Sequence, residues 1–311
     1  MTSAAKVLRV NAASIEFQNP VLLAAGTAAY GRELAGVMNL ESLGGIVTKA
    51  VSPEPRKGAP APRVAEFEGG MINAVGLANP GLDAVKREDL PWLTQHVRDA
   101  RVLVNVVGSV LEDFATVVEG LSNESRVDAF ELNVSCPNTK AGGMEFGADR
   151  DTLSTLIHRA RATTSKPLFV KLSPTLSAIA DTARAAVDAG ADGITLVNTI
   201  PGLVIDVERR KPALGFGTGG VSGPGLLPVG VLAVWKVSRA VQVPLIGVGG
   251  ISRGTDAIQY MMAGASLVAM GTAALRDPRA PDRVIAEMSQ WCERHDVKSI
   301  GELVGSLEWQ S

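Results

Sequence analysis

The chain has 311 residues, 46% of them apolar, a formal net charge of -2 and 33 glycines spread along its length, which excludes disorder and leaves room for a large buried core. No basic face is evident, which argues against nucleic acid as the main partner. No apolar run approaches the length of a membrane span, and the stretch Met1 to Asn11 has Lys6 and Arg9 but no apolar signal core, so a cytoplasmic location is the simplest expectation.

In chain order, eight short apolar runs read as strands: Val21–Ala25, Gly45–Lys49, Arg101–Val107, Ala129–Val134, Leu168–Leu172, Gly193–Val197, Leu245–Val248 and Leu267–Met270. Most are rich in Val, Ile and Leu without strict alternation, the pattern of strands buried on both faces. Helical patterns lie between them. Asp151 to Thr164 puts Leu153, Leu156, Ile157 and Ala160 on one face, and Leu176 to Ala189 follows the same rule. Ala189-Gly190-Ala191-Asp192 and Ala263-Gly264-Ala265-Ser266 each precede a strand and read as repeated helix-to-strand joints. The alternation predicts an α/β fold, a (β/α)8 TIM barrel over residues 1–311 as one domain. On pattern alone an open doubly wound sheet is the alternative. Two excursions exceed a minimal barrel: Ser52 to Pro91 after strand two and Pro201 to Pro228 after strand six. Such insertions are usually functional, as lids or as interfaces.

In a barrel of this kind the site lies at the C-terminal strand ends. Those ends carry Gly26-Thr27, Lys49-Ala50, Asn105, Asn133 through Asn138, Lys171-Leu172-Ser173, Asn198-Thr199, Gly249-Gly250 and Gly271-Thr272. The last two glycine clusters offer backbone N–H groups suited to a phosphate, or are tight turns only. They lack the G-x-G-x-x-G pattern of a dinucleotide site. Cys136, just past a strand, reads as a base or nucleophile or else as a small buried hydrophobe. Cys292, inside a late helical run, reads as structural. Lys171 could form a Schiff base or stabilise an anion, and Lys49 could meet a carboxylate or polarise a ring. His96, His158 and His295 sit in polar helical contexts, and no cluster suggests a metal site.

The motifs Asn133-Val134-Ser135-Cys136-Pro137-Asn138, Asn73-Ala74-Val75-Gly76-Leu77, Val170-Lys171-Leu172-Ser173-Pro174, Val197-Asn198-Thr199 and Ser222-Gly223-Pro224 resemble those of dihydroorotate dehydrogenases, in the same order from about Asn19 to Thr272. A cysteine at 136 resembles the soluble class 1. The stretches Glu54 to Asn73 and Thr139 to Gly143 look more like subclass 1B, which uses NAD+ through a partner subunit. The resemblance implies oxidation of dihydroorotate to orotate in pyrimidine biosynthesis, with Cys136 removing the C5 proton and a hydride passing from C6 to FMN. It implies that Lys49, Asn73, Gly76, Leu77, Asn133, Asn138, Asn198 and Thr199 hold the substrate. It implies that Thr27, Lys49, Ala50, Asn105, Asn133, Lys171, Val197, Gly223, Gly249, Gly250, Gly271 and Thr272 hold FMN.

Two cysteines are too few for an iron–sulfur cluster, which normally takes four thiolates. The subclass resemblance therefore implies a partner subunit with FAD and a [2Fe–2S] centre, in a heterotetramer built on a homodimer of this chain. Rival readings are the fumarate-using subclass 1A, a related dihydropyrimidine dehydrogenase module, a phosphosugar aldolase or isomerase barrel using Lys171, and a non-catalytic phosphate-binding barrel.

Overall fold

The computed structural model describes residues 6–135, 137–138 and 144–309. The eight expected strands form: β1 Val21–Leu23, β2 Gly45–Val47, β3 Arg101–Val106, β4 Ala129–Asn133, β5 Leu168–Leu172, β6 Gly193–Leu196, β7 Leu245–Val248 and β8 Leu267–Met270. Each pairs in parallel with its chain neighbours, and β8 pairs back onto β1, so the sheet closes into a barrel. Every residue of β1, β2, β5, β6, β7 and β8 is buried, which is why these runs show no alternation. The doubly wound alternative is thereby excluded. Several strands stop a residue or two earlier than their apolar runs. Ala24, Lys49 and Val197 follow the strand ends and line the barrel mouth, with Ala24 and Val197 still donating to Met270 O and Val248 O of the neighbouring strands.

The helices follow from apolar spacing: α1 Leu90–His96, α2 Leu111–Ser122, α3 Arg150–Arg161, α4 Ile179–Asp188, α5 Leu227–Ser238, α6 Gly254–Met262, α7 Thr272–Arg276 and α8 Ala280–Arg294. In α3 the buried residues are Leu153, Leu156, Ile157 and Ala160, as the spacing requires. Its start is set by Asp149, whose Oδ1 accepts the Thr152 N–H at 2.8 Å. Helix α4 begins three residues later than its apolar pattern. Pro174 follows β5 closely, and Ser173 Oγ lies 2.7 Å from Thr175 Oγ1, holding that stretch as a turn.

The two Ala-Gly-Ala joints close in one way. After α4, Gly190 has φ +107°, its N–H donates to Val187 O at 2.9 Å, and Ala191 N–H donates to Ala186 O at 3.0 Å. After α6, Gly264 has φ +120°, with Gly264 N–H on Met261 O and Ala265 N–H on Tyr260 O, both at 2.9 Å. Both are Schellman closures that need a residue without Cβ.

The two excursions build one antiparallel sheet over the mouth. Its strands run Ile200–Gly202, Gly219–Ser222, Gly70–Asn73, Val64–Phe67, so the insertion after β6 pairs with the insertion after β2. Sequence reasoning left the jobs of these segments open and did not foresee that they join. It also missed the N-terminal hairpin Val10–Ala12 with Ile15–Phe17, which buries Phe17 beneath the barrel. The turn is made by Ala13 and Ser14, with φ of 49° and 64°. Such a turn usually announces itself with Asn or Gly, and here it does not.

Candidate active site

Alternation along the strands decides what points into the barrel. A Cβ on Gly193 would overlap the Phe169 ring, so Phe169 and Gly193 face one another inside. Two residues on, Lys171 and Thr195 share that inward face. Gly247 points the opposite way, against the Tyr260 ring of α6, which leaves Ile246 and Val248 facing in.

Above this plug lies a cavity of about 500 Å3 at the C-terminal strand ends. That is the size range of a pocket that takes a small-molecule ligand or cofactor. Of the residues singled out from sequence, Thr27, Lys49, Ala50, Asn73, Gly76, Leu77, Asn105, Asn133, Lys171, Val197, Asn198, Thr199, Gly223, Gly249, Gly250, Gly271 and Thr272 all line it. Cys136 lies outside the described residues. Of Asn138 only the backbone is described: Pro137–Asn138 pairs with Met144–Glu145 in a short hairpin beyond β4. A second, more open hollow of about 540 Å3 sits at the other end of the barrel beside the Arg9–Glu16 ion pair. It gathers no convergent buried polar groups.

One wall of the mouth is amide-rich. Asn198 Oδ1 accepts the Thr199 N–H at 2.9 Å, and its Nδ2 donates to Asn133 Oδ1 at 3.2 Å. These bonds fix both amides, so Asn133 turns its Nδ2 donors toward the pocket. Asn73 donates from Nδ2 to Gly220 O at 3.3 Å, and its Oδ1 accepts no hydrogen bond among the described residues. The half-buried Lys49 lines the same cavity, and its Nζ has no hydrogen-bond or ion-pair partner among the described residues. Beside the mouth, burial pushes the Glu145 carboxyl up, and a hydrogen bond with Ser173 partly opposes this.

The other wall offers backbone donors. Gly249 and Gly250 have φ of +126° and +75°, conformations that favour glycine. The N–H groups of Gly249, Gly250 and Gly271 have no partner among the described residues. Thr272 Oγ1 donates to Ser222 Oγ at 2.7 Å, tying the cap sheet to the start of α7. Such a rim of unspent amides after the last two strands suits a phosphate.

Sequence reasoning passed over several lining or supporting residues. Met71, Leu226, Val248 and Leu275 are apolar walls with no polar signal to mark them. Ser222 stood inside a quoted motif without a role. Glu131 is the largest omission: it is 1% exposed, inside the barrel, and touches both Asn105 and Lys171. Its signal was visible, as the one acidic residue in the apolar strand Ala129–Asn133. His96, His158 and His295 are exposed, and Cys292 is fully buried on α8. No group of His, Cys, Asp and Glu among the described residues could hold a metal ion. No helix among them is long and apolar enough to cross a membrane.

The family model described as dihydroorotate dehydrogenase matches residues 7–291. The chain is 46% identical over 301 residues to the catalytic subunit of dihydroorotate dehydrogenase B (NAD(+)) of Pelobacter propionicus, covering 97% of this chain and 98% of that one. It is 45% identical over 300 residues to the protein of the same name from Alkaliphilus metalliredigens, covering 96% and 98%. Its fold is similar to the crystal structure of the Eimeria tenella enzyme in complex with ferulenol. That match has a TM-score of 0.82 at 26% identity and covers 96% of this chain and 88% of that one. With the barrel, the ordered motifs and near full-length coverage in agreement, the chain belongs to the dihydroorotate dehydrogenase family.

Proposed function

We propose that this pocket oxidises dihydroorotate to orotate with Cys136 as the base, Lys49 and the asparagines as the substrate cradle, and Lys171 with the glycine rim as the FMN cradle. The chain is a dihydroorotate dehydrogenase catalytic subunit, with NAD+ as the final acceptor reached through a partner subunit. The observation that carries the assignment of roles is Lys49. Its ammonium is half-buried, unpaired among the described residues, and faces a wall of oriented amides. A cation beside N–H donors and a free amide acceptor matches a small ring that bears a carboxylate, carbonyls and ring N–H groups. Lys49 meets the carboxylate, Asn133 and Asn198 donate to ring oxygens, and Asn73 accepts from a ring N–H. Gly76, Leu77 and Thr199 complete the enclosure, and the family resemblance gives Asn138 to the substrate as well.

The residues present also fit FMN. A phosphate suits the unspent amides of Gly249, Gly250 and Gly271, with Gly223 and Thr272 beside them. Thr27, Ala50, Asn105, Asn133 and Val197 flank the space between that rim and Lys171. When bound, FMN supplies the acceptor for the hydrogen and electron pair that leave C6. Cys136, as a thiolate, takes the C5 proton, so the substrate loses two hydrogens and gains a ring double bond. Lys171 places a fixed cation where negative charge gathers, and the apolar wall of Met71, Leu226 and Val248 limits water.

The two cysteines of this chain cannot ligate an iron–sulfur cluster. The resemblance to subclass 1B implies that FAD and a [2Fe–2S] centre belong to the partner, in a heterotetramer of two such chains and two partners. A cytoplasmic location goes with that reading. Reconstitution tests the cofactor assignment: the purified chain should bind FMN and turn yellow, at about one flavin per chain. A colourless protein that cannot be loaded with FMN would contradict it.

A further inference from the structure

Glu131 presents a physical problem that the proposed chemistry leaves unsolved. A carboxylate sealed inside a barrel is costly unless it is paired and hydrogen-bonded. Glu131 is 1% exposed, and it sits in line with two pocket residues on neighbouring strands. The ladder sets Asn105 of β3 opposite Glu131 of β4, and Glu131 beside Phe169 of β5, two residues before Lys171. Asn105 Nδ2 donates to Glu131 Oε1 at 2.8 Å. Lys171 Nζ lies 4.0 Å from the same oxygen, which is ion-pair range but beyond hydrogen-bond range. No other cation pairs with Glu131 among the described residues.

Two consequences follow from that geometry. A carboxylate only accepts, so Asn105 must present Nδ2 to Glu131 and keep Oδ1 free as an acceptor. A glutamine in its place could donate or accept, and the Asn105 amide would lose its fixed sense. Lys171, held by charge, makes no hydrogen bond from Nζ among the described residues, which leaves its N–H donors to the pocket while its charge is balanced from below.

We propose that Glu131 is a positioning residue that orients Asn105 and offsets the charge of Lys171, thereby setting the reduction potential of the flavin above it. The inference rests on the FMN reading of the pocket. Negative charge gathers on the ring as it is reduced, so an unbalanced lysine would favour reduction, and Glu131 tempers that preference.

Midpoint potentials of FMN-loaded wild type, E131Q, K171M and the double variant test this. E131Q should raise the midpoint by about 30 mV, a tenfold shift in the oxidised-to-reduced ratio of a two-electron couple. K171M should lower it by a similar amount, and the double variant should return close to wild type. Removing one member of a buried pair can unfold a protein, whereas a neutral pair of similar shape is often tolerated. If E131Q does not fold, the comparison of K171M with the double variant carries the test. Equal potentials in wild type and E131Q, or in K171M and the double variant, would overturn the proposal. A wild type that binds no FMN would instead overturn the reading on which it rests, so the two failures are distinguishable. A purely structural role for Glu131 would lower thermal stability and leave these potentials in place.

Discussion

At the scale of single residues, the pocket leaves a few polar groups without partners among the described residues, in a setting where most are satisfied. Lys49 is the clearest case, and Lys49→Met should raise the KM for dihydroorotate. A charge-assisted hydrogen bond is worth about 1.5–3 kcal/mol, so the rise should be about ten- to a hundredfold. Steady-state kinetics with dihydroorotate and with dihydrouracil, which lacks the carboxylate, would check it. The variant should lose its preference between the two, and a retained preference would remove Lys49 from carboxylate binding. Cys136→Ser should slow flavin reduction strongly near neutral pH, with partial recovery at alkaline pH, because a hydroxyl gives up its proton far less readily than a thiol and so is rarely present as a base. Rapid-mixing measurements that found unchanged rates would take Cys136 out of the mechanism. The residues lining the pocket were legible in sequence wherever a polar or glycine residue ended a strand, as with Lys171, Asn133 and Gly249. Glu131 escaped because it lies two residues before a strand end, within an apolar run, where charge is not expected.

At the scale of elements, the cap sheet ties the substrate side of the pocket to the barrel. Gly220 packs so closely on Thr199 that a Cβ would overlap its side chain. Gly220→Ala should destabilise the fold by about 1–3 kcal/mol and displace Thr199, raising the KM several-fold. Thermal unfolding and kinetics on the same preparation would check both effects, and an unshifted KM would separate Thr199 from the substrate. The glycines of this insertion look from sequence like a flexible loop. They serve close approach between strands, which only the long-range pairing of two distant segments reveals, as in the Ser222–Met71 pair, 151 residues apart. The barrel strands were legible as short, continuously apolar runs, and α3 from the helical spacing of its buried residues.

The joint before α8 adds a pH dependence. Asp277 accepts hydrogen bonds from Arg283 and Arg279, which pull its carboxyl from 3.8 down to about 2. The folded value lies below the unfolded one, so the stabilisation is fully present above about 4 and is lost as pH falls toward 2. Denaturant midpoints across that window should fall more steeply for wild type than for Asp277→Asn. Parallel curves would count against the contribution.

At the scale of the whole molecule, the chain holds one half of an electron path. The barrel has a pocket fit for a flavin, two cysteines in all, and no metal-binding cluster among its described residues. Because the relatives it matches are catalytic subunits of dihydroorotate dehydrogenase B (NAD(+)), the isolated chain loaded with FMN should reduce NAD+ poorly with dihydroorotate and gain that activity on addition of the partner subunit. Efficient NAD+ reduction by the chain alone would contradict a separate electron carrier. The barrel itself was legible from alternation, and the family from ordered motifs. The docking face for a partner is not encoded in any local pattern, because it depends on which exposed side chains the closed barrel brings together. The central claim is tested most directly by anaerobic addition of dihydroorotate to the FMN-loaded chain while its visible absorption is followed. The account predicts that the yellow colour bleaches and orotate appears in equal amount; an unchanged spectrum with excess dihydroorotate would contradict it.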